Sequence, residues 1–84
     1  MKYCYITFRS VTPAQRSEAI LRRAGVECTI QRTPRWMEEQ GCGYSLRLRH
    51  AQLPQAVKML REGGVSYRKV YLQGEGGSYE ELEV

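Results

Sequence analysis

The spacing of apolar residues alternates twice between a strand-like and a helix-like period, and this alternation constrains the fold more than any other feature. In Lys2–Arg9 every second residue points to the same side, as in a half-buried strand. The stretches VECTIQR, YSLRLR and VSYRKVYLQ are predicted to form three further strands. TPAQRSEAILRRAG and LPQAVKMLREGG have helical spacing, and the helices are predicted to end at Gly25 and Gly63.

The predicted order is therefore strand, helix, strand, strand, helix, strand. With right-handed crossovers, such a chain packs as a ferredoxin-like α+β domain: one four-stranded antiparallel sheet with both helices on one face. A chain of 84 residues is one domain, and residues 1–73 contain all six elements. Residues 74–84 are rich in glycine and glutamate and are predicted to form a flexible acidic tail.

Charge is distributed unevenly along the chain. The formal net charge is +4, but residues 74–84 contain four of the nine acidic residues and no basic residue. Residues 1–73 therefore contain 13 basic and five acidic residues, a formal charge of +8. A body this basic indicates an acidic partner: nucleic acid, an acidic protein surface, or the tail itself. We expect Ser78–Val84 to dock on basic surface, either the open sheet face of its own chain or that of a second copy. This docking should be marginal, because the glycines before the segment also give the tail entropy.

The chain has no stretch near the roughly 20 apolar residues that a membrane-spanning helix needs. Its apolar start, MKYCYITF, is followed at once by Arg9 and contains no small-residue cleavage site, so we interpret it as a strand. Three cysteines cannot all pair within one chain, which fits a reducing, cytoplasmic location. The cysteines and the single His50 lack metal-ligand spacing, and no cofactor motif is present, so we expect neither a metal nor a cofactor.

The three cysteines differ in their sequence surroundings. Cys4 and Cys28 are in phase with the inward-facing residues of their strands, so both are predicted to pack in the core. Cys42 lies between Gly41 and Gly43, which have no side chains to shield its sulfur, and this favours access from outside. On spacing alone, a hairpin cysteine that is merely tolerated is the simpler interpretation.

The charges around Cys42 do not decide whether its thiol is activated. Neighbouring cations would favour the reactive thiolate, and neighbouring carboxylates would disfavour it. The candidates are Arg35, Arg47 and Arg49 on one side and Glu38 and Glu39 on the other.

The predicted open face of the sheet is a second candidate site. Tyrosines and arginines on such a face can stack bases and hold phosphates, as they do in RNA-recognition modules. The same face would suit a partner protein or a second copy of the chain. No stretch resembles the two RNA-recognition signature motifs. By strand parity the face comprises Tyr3, Tyr5, Thr7, Arg9, Thr29, Gln31, Ser45, Arg47, Arg49, Tyr67, Lys69 and Tyr71.

Three stretches of the chain resemble the selenium/sulfur carrier-like family of small bacterial proteins, first defined as a domain of unknown function. They are YITFRSVTPAQRSEAILRRAG, RTPR at Arg32–Arg35, and CGYSLR at Cys42–Arg47. That family has a strand ending in Thr-Phe before an alanine-rich helix, then a Thr-Pro-Arg turn, and then Cys-Gly leading into a Leu-Arg strand. The Thr-Pro-Arg turn followed by Cys-Gly is the most specific of these features. The resemblance extends from Met1 to about Gln73.

The resemblance implies that Cys42 is the carrier thiol and that Thr33, Pro34, Arg35 and Gly43 shape its loop. Where family members often have serines before the cysteine, this chain has the segment EEQG. As a carrier rather than an enzyme, the protein would take a chalcogen from a donor such as a cysteine desulfurase or a selenocysteine lyase. It would then pass that chalcogen to an acceptor by thiol exchange.

In this interpretation the arginines near Cys42 favour its anionic form or dock an acidic donor. Those arginines are Arg35, Arg47 and Arg49. The sequence leaves open whether the cargo is sulfur or selenium, which proteins are donor and acceptor, and whether the chain forms a homodimer. It also leaves open a different function, in which the chain is a nucleic-acid-binding or protein-interaction module that uses the tyrosine and arginine face.

Overall fold

The computed structural model describes residues 2–33 and 43–83. Within these residues the chain forms five strands and two α-helices, and the predicted α+β class and the order of the first six elements are confirmed. In chain order the elements are β1 (Tyr3–Phe8), α1 (Val11–Arg23), β2 (Cys28–Arg32), β3 (Tyr44–Arg49), α2 (Leu53–Glu62), β4 (Val70–Gln73) and β5 (Tyr79–Leu82). Single 3₁₀ turns at His50–Gln52 and Glu75–Gly77 precede α2 and β5.

The sheet is antiparallel and has the strand order β2-β3-β1-β4-β5. The first four strands have the predicted arrangement, with β1 between β3 and β4. The prediction of four strands is wrong, because residues of the acidic tail add a fifth strand at the edge. Leu82 of β5 pairs with Val70, and Tyr79 pairs with Gln73.

The main core lies between the helices and one face of the sheet. Alternate residues of β1 and β3 point into it, as the period of two predicts, and α1 and α2 cover them. Cys4 and Cys28 belong to this core, which confirms their predicted burial. The largest fully buried side chains are those of Ile6, Phe8, Leu21, Leu46, Leu48 and Leu60.

The pairing of β1 with the chain entering β4 is irregular at Thr7. The Thr7 backbone N–H donates to the Lys69 carbonyl oxygen at 2.8 Å, and the Thr7 carbonyl oxygen accepts from the Arg68 N–H at 2.8 Å. The Lys69 N–H donates instead to the Thr7 hydroxyl at 3.0 Å. Arg68 and Lys69 on one side therefore oppose the single residue Thr7 on the other, as in a β-bulge.

This irregularity changes which side of the sheet the preceding residues face. The predicted fourth strand, residues 65–73, is regular only from Val70 onward. Tyr67, which strand parity placed on the open face, packs against the main core instead. That prediction is wrong because parity holds only where the pairing is regular.

The fifth strand is held by contacts on both faces of the sheet. Leu82 packs against the main core, while Tyr79 packs on the opposite face against Tyr5 and Tyr71. The turn before β5 uses positive φ angles at Gly76 and Gly77, 72° and 81°, which glycine adopts without steric cost. The sequence did not predict this strand, because glutamates interrupt the alternation of apolar residues.

None of the helices in residues 2–33 and 43–83 is both long enough and apolar enough to cross a membrane.

Candidate functional site

The two ends of the predicted cysteine segment meet at one end of the sheet. The Thr33 backbone N–H donates to the Gly43 carbonyl oxygen at 3.1 Å, which extends the pairing of β2 and β3 by one step beyond Arg32 and Tyr44. Thr33 and Gly43 therefore lie side by side, and their predicted role in shaping the cysteine loop stays a prediction. The other predicted residues of this segment, Pro34, Arg35, Gly41 and Cys42, lie outside the described residues, and their roles stay predictions.

Chain connectivity places Cys42 near this end of the sheet. Gly43 precedes Tyr44, and Tyr44 pairs with Arg32 on one side and Phe8 on the other. Cys42 itself lies outside the described residues, but it is bonded to Gly43. The groups able to influence Cys42 should therefore be sought where β1 and β2 end and β3 begins.

Arg47 and Arg49 lie away from this end. They follow Gly43 by four and six residues along β3, or about 13 and 20 Å at the rise of an extended strand. The Arg47 guanidinium stacks over the Tyr3 ring, 4.8 Å from its centroid. Arg49 Nη2 lies 3.8 Å from Glu27 Oε2. The structure thus groups these two predicted arginines with each other and not with Thr33 and Gly43.

Two other arginines flank Gly43 at its own end of the sheet. Arg9 follows Phe8, the pairing partner of Tyr44, and Arg32 is the last residue of β2. Both side chains are exposed. Neither residue was predicted to belong to the cysteine site, because only cations that follow or closely precede Cys42 along the chain suggest themselves from the sequence. The register of β1 against β3 is the feature that identifies Arg9.

The open face of the sheet is partly closed at this same end. Thr7 and Ser45 are buried, although strand parity predicted an exposed face there. The Thr7 hydroxyl is satisfied by Lys69, whereas the buried hydroxyl oxygens of Thr33 and Ser45 have no hydrogen-bond partner within the described ranges. Buried hydroxyls without partners are costly, so the described residues leave the hydrogen-bonding capacity of these two hydroxyls unused.

The other two cysteines are poorly suited to nucleophilic chemistry. Cys4 is 0% exposed, and burial raises the pKa of its thiol to about 11. Cys28 is 6% exposed, and its pKa is also raised, chiefly by burial and further by Glu18, with Arg22 acting in the opposite direction. Because the thiolate is the reactive form, both thiols are held in their unreactive form at neutral pH.

Three tyrosines pack together in the middle of the second candidate site. Tyr5 and Tyr71 are 7% and 9% exposed, and the ring centroids of Tyr5 and Tyr79 are 5.7 Å apart with an interplanar angle of 60°. The Tyr5 hydroxyl donates to Gln73 Oε1 at 3.3 Å. The pKa of Tyr5 is raised, chiefly by burial. These contacts leave Tyr5 and Tyr71 little ring surface on which a base could stack.

The part of the chain that the structure describes has no group of three or more His, Cys, Asp or Glu side chains placed to hold a metal ion.

Comparison with known proteins gives one match. The sequence model of a protein family described as "Putative Se/S carrier protein-like" matches residues 3–72. The matched range begins with β1 and stops one residue before the end of β4, so it contains Cys42 and leaves out β5. No curated protein and no solved structure matches the chain.

Proposed function

Because the chain belongs to the Putative Se/S carrier protein-like family, we propose that it carries sulfur or selenium as a persulfide or selenopersulfide on Cys42. The burial of the other two cysteines is the observation that carries this assignment. Cys4 and Cys28 are core residues whose pKa values are raised. Of the three cysteines in the sequence, only Cys42 remains as a carrier thiol.

Loading requires one exchange step. The Cys42 thiolate attacks the outer sulfur of a persulfide on the donor protein. A new sulfur–sulfur bond forms to Cys42 while the bond between the donor's two sulfurs breaks, and the donor cysteine leaves as a thiolate. The transferred sulfur keeps its proton and its oxidation state, so the step needs no external oxidant or reductant. A selenopersulfide donor exchanges in the same way, with selenium as the transferred atom.

Delivery is the same exchange in the opposite direction. A thiolate of the acceptor attacks the chalcogen held on Cys42, and Cys42 leaves as a thiolate, ready for another cycle. The protein is thereby a carrier and not an enzyme, since each cycle needs a donor and an acceptor. A free thiol must stay reduced between cycles, which suits a cytoplasmic protein. The donor class that fits is a cysteine desulfurase or a selenocysteine lyase.

The surroundings of Gly43 support a negatively charged sulfur at this end of the sheet. Arg9 and Arg32 flank the residue to which Cys42 is bonded, and no acidic residue belongs to the paired ends of β1, β2 and β3 there. Cationic neighbours favour a thiolate and a persulfide anion over their protonated forms. This role falls to Arg9 and Arg32 more than to Arg47 and Arg49.

The direct test is the mass of the protein after incubation with a donor and its substrate. One sample receives a cysteine desulfurase with cysteine, and another a selenocysteine lyase with selenocysteine. We expect one added chalcogen atom, located on Cys42 by peptide mapping and removed by a reducing thiol. A third sample receives inorganic polysulfide, which loads an accessible thiol without protein docking.

The matched variants are Cys42→Ser and Cys28→Ser. Cys42→Ser should take up no chalcogen from any of the three sources, whereas Cys28→Ser should load as the unaltered protein does. Loading that survives in Cys42→Ser, or that maps to Cys4 or Cys28, would refute the proposal.

A further inference from the structure

A groove runs beside the end of β1, between the start of α1 and the segment that leads into β4. Its volume is about 530 Å³. Its apolar part consists of Pro13, Val65 and Tyr67, of which Val65 is buried in the core. Its polar part includes three arginines, Arg9, Arg16 and Arg68, and none of the described residues that line it is acidic.

Two cations of this groove, Arg9 and Arg16, differ from three other basic residues of the chain in their ion pairing. Arg22, Arg49 and Lys69 each form an ion pair with a glutamate. Arg9 and Arg16, both exposed, form no ion pair in the part of the chain that the structure describes. Two exposed and unpaired guanidinium groups beside an apolar surface are suited to carboxylates that arrive with an apolar side chain.

In a neighbouring groove, a basic surface of the same kind lies against an acidic segment of the chain. That groove shares Tyr67 and Arg68 with the first one, and acidic residues of the chain's own tail line its other side. There, Lys69 Nζ lies 3.6 Å from Glu81 Oε1. The chain therefore already pairs an acidic strand with the basic surface next to Arg68, while the surface next to Arg9 and Arg16 has no such counterpart within the described residues.

We propose that the groove lined by Arg9, Arg16 and Arg68 docks an acidic segment of the protein that exchanges its chalcogen with Cys42. This inference rests on the proposed carrier function, and it adds a partner chemistry and a location. Arg9 belongs both to the groove and to the residues flanking Gly43, so a segment bound in the groove lies beside the attachment point of Cys42. Carboxylates of the partner pair with Arg9 and Arg16, and an apolar side chain of the partner packs on Pro13 and Tyr67.

Two features favour an acidic protein segment over RNA. Base stacking needs exposed aromatic rings, and Tyr5 and Tyr71 are packed against each other and Tyr79 on a different face of the sheet. The aromatic residue of the groove, Tyr67, packs against the main core, so only part of it is accessible. The groove thus offers guanidinium groups and aliphatic surface, which suit glutamate and leucine side chains better than bases.

The test measures the binding of a labelled glutamate decamer to the full chain carrying Cys42→Ser, so that binding does not depend on thiol chemistry. The groove variant is Arg9→Gln with Arg16→Gln. The control is Arg23→Gln with Arg61→Gln, which removes the same charge from two other exposed positions. We expect the groove variant to weaken binding about tenfold or more, and the control about threefold at most. A uridylate decamer serves as the RNA probe and should bind less tightly than the peptide.

Three results would overturn the docking proposal: no binding of the glutamate decamer at low salt, an equal loss in the two double variants, or tighter binding of the uridylate decamer that depends on Arg9 and Arg16. Circular dichroism confirms folding, and the single Arg16→Gln variant, on an exposed helix position, replaces the double variant should the latter unfold. If the docking proposal is wrong, polysulfide still loads Cys42, because that reaction needs no docking. If polysulfide does not load Cys42, the peptide-binding test still gives a result, because it uses the Cys42→Ser chain.

Discussion

A sulfur atom becomes a nucleophile only where it can carry negative charge, and the three cysteines of this chain differ in that respect. Cys4 and Cys28 are surrounded by apolar side chains, which disfavour an anion. Cys42 is bonded to Gly43, which lies at the end of the sheet where Arg9 follows β1 and Arg32 ends β2. At the scale of single residues, burial therefore decides which thiols are inert, and the register of the strands decides which cations lie near the remaining one.

We predict that Cys42 is the first cysteine alkylated in the folded protein and that Arg9 contributes to its reactivity. With brief iodoacetamide treatment and peptide mapping, Cys42 should be labelled before Cys4 and Cys28. Arg9→Gln should slow labelling about two- to fivefold near neutral pH, because it removes a cation at the end of β1, beside the Gly43 to which Cys42 is bonded. Arg49→Gln, about 20 Å away along β3, is the matched control and should have no effect. Equal slowing by both variants would rule out a specific role for Arg9.

We also predict an alkaline loss of stability that depends on Cys4. Its pKa in the folded protein is about 11, above the ordinary value of 9.0, so the folded state holds a proton that the unfolded state releases. The contribution is fully present below pH 9.0 and is lost as the pH rises to about 11. Its size is about 2 to 3 kcal/mol.

Urea unfolding at several pH values measures this effect. Over that pH interval the free energy of unfolding of the unaltered protein should fall by about 2 kcal/mol more than that of Cys4→Val. The other ionisable groups are common to both proteins and cancel in the difference. Parallel pH profiles for the two proteins would mean that the Cys4 thiol ionises without penalty.

Among the secondary-structure elements, β5 is a short strand at one edge of the sheet. It has four residues, it follows a glycine turn, and it falls outside the range that matches the family. Its contacts are nevertheless specific: Tyr79 packs on Tyr5, Leu82 reaches the core, and Glu81 pairs with Lys69. The strand is therefore an addition to a sheet that β1–β4 already hold together.

We predict that a chain ending after Gln73 still folds cooperatively but is less stable. Removing β5 uncovers Tyr5 and Tyr71 and breaks the aromatic contact, so the free energy of unfolding should fall by about 1 to 3 kcal/mol. In the full chain, Tyr79→Ala should produce much of this loss, and Glu80→Ala, at an exposed position of the same strand, almost none. Urea midpoints provide the measurement. A truncated chain as stable as the full one would show that β5 is paired without contributing to stability.

The elements that the sequence predicts well are those with a regular period. The four strands and two helices of residues 1–73 follow from apolar spacing, as does the burial of Cys4 and Cys28. Tyr67 was misplaced because the irregular pairing at Thr7 shifts the parity of the chain before β4. The tail strand was missed because its stabilising partners, Tyr5, Tyr71 and Lys69, are remote in sequence. Within the candidate site, the closeness of Arg9 to Gly43 depends on strand register, which the sequence does not state.

At the scale of the whole molecule, the distribution of charge follows the division between the family-like body and the added strand. Residues 1–73 carry a formal +8, and residues 74–84 carry four glutamates and reduce the net charge to +4. Glu81 lies against Lys69, and the groove of Arg9 and Arg16 borders the same region. The tail therefore weakens the positive field around the proposed docking groove.

We predict that a chain ending after Gln73 binds the glutamate decamer more tightly than the full chain. At low salt the gain should be about fivefold, since four negative charges are removed, two of which, Glu81 and Glu83, line the adjoining groove. At high salt the gain should shrink toward zero, because ions screen charges that are not in direct contact. Fluorescence titrations at two salt concentrations measure it. Equal affinities at low salt would mean that the tail charges do not influence the groove.

The outer side of β5 has a further consequence, for how copies of this protein behave when crowded together. An exposed strand edge invites the edge of another molecule, and sheets that grow in this way lead to aggregation. Here the edge strand is four residues long, displays exposed carboxylates at Glu80 and Glu81, and is followed by the exposed Glu83. Two such edges repel each other before their backbones can pair. The acidic strand thus ends this edge of the sheet in a form that disfavours pairing with the same edge of another copy.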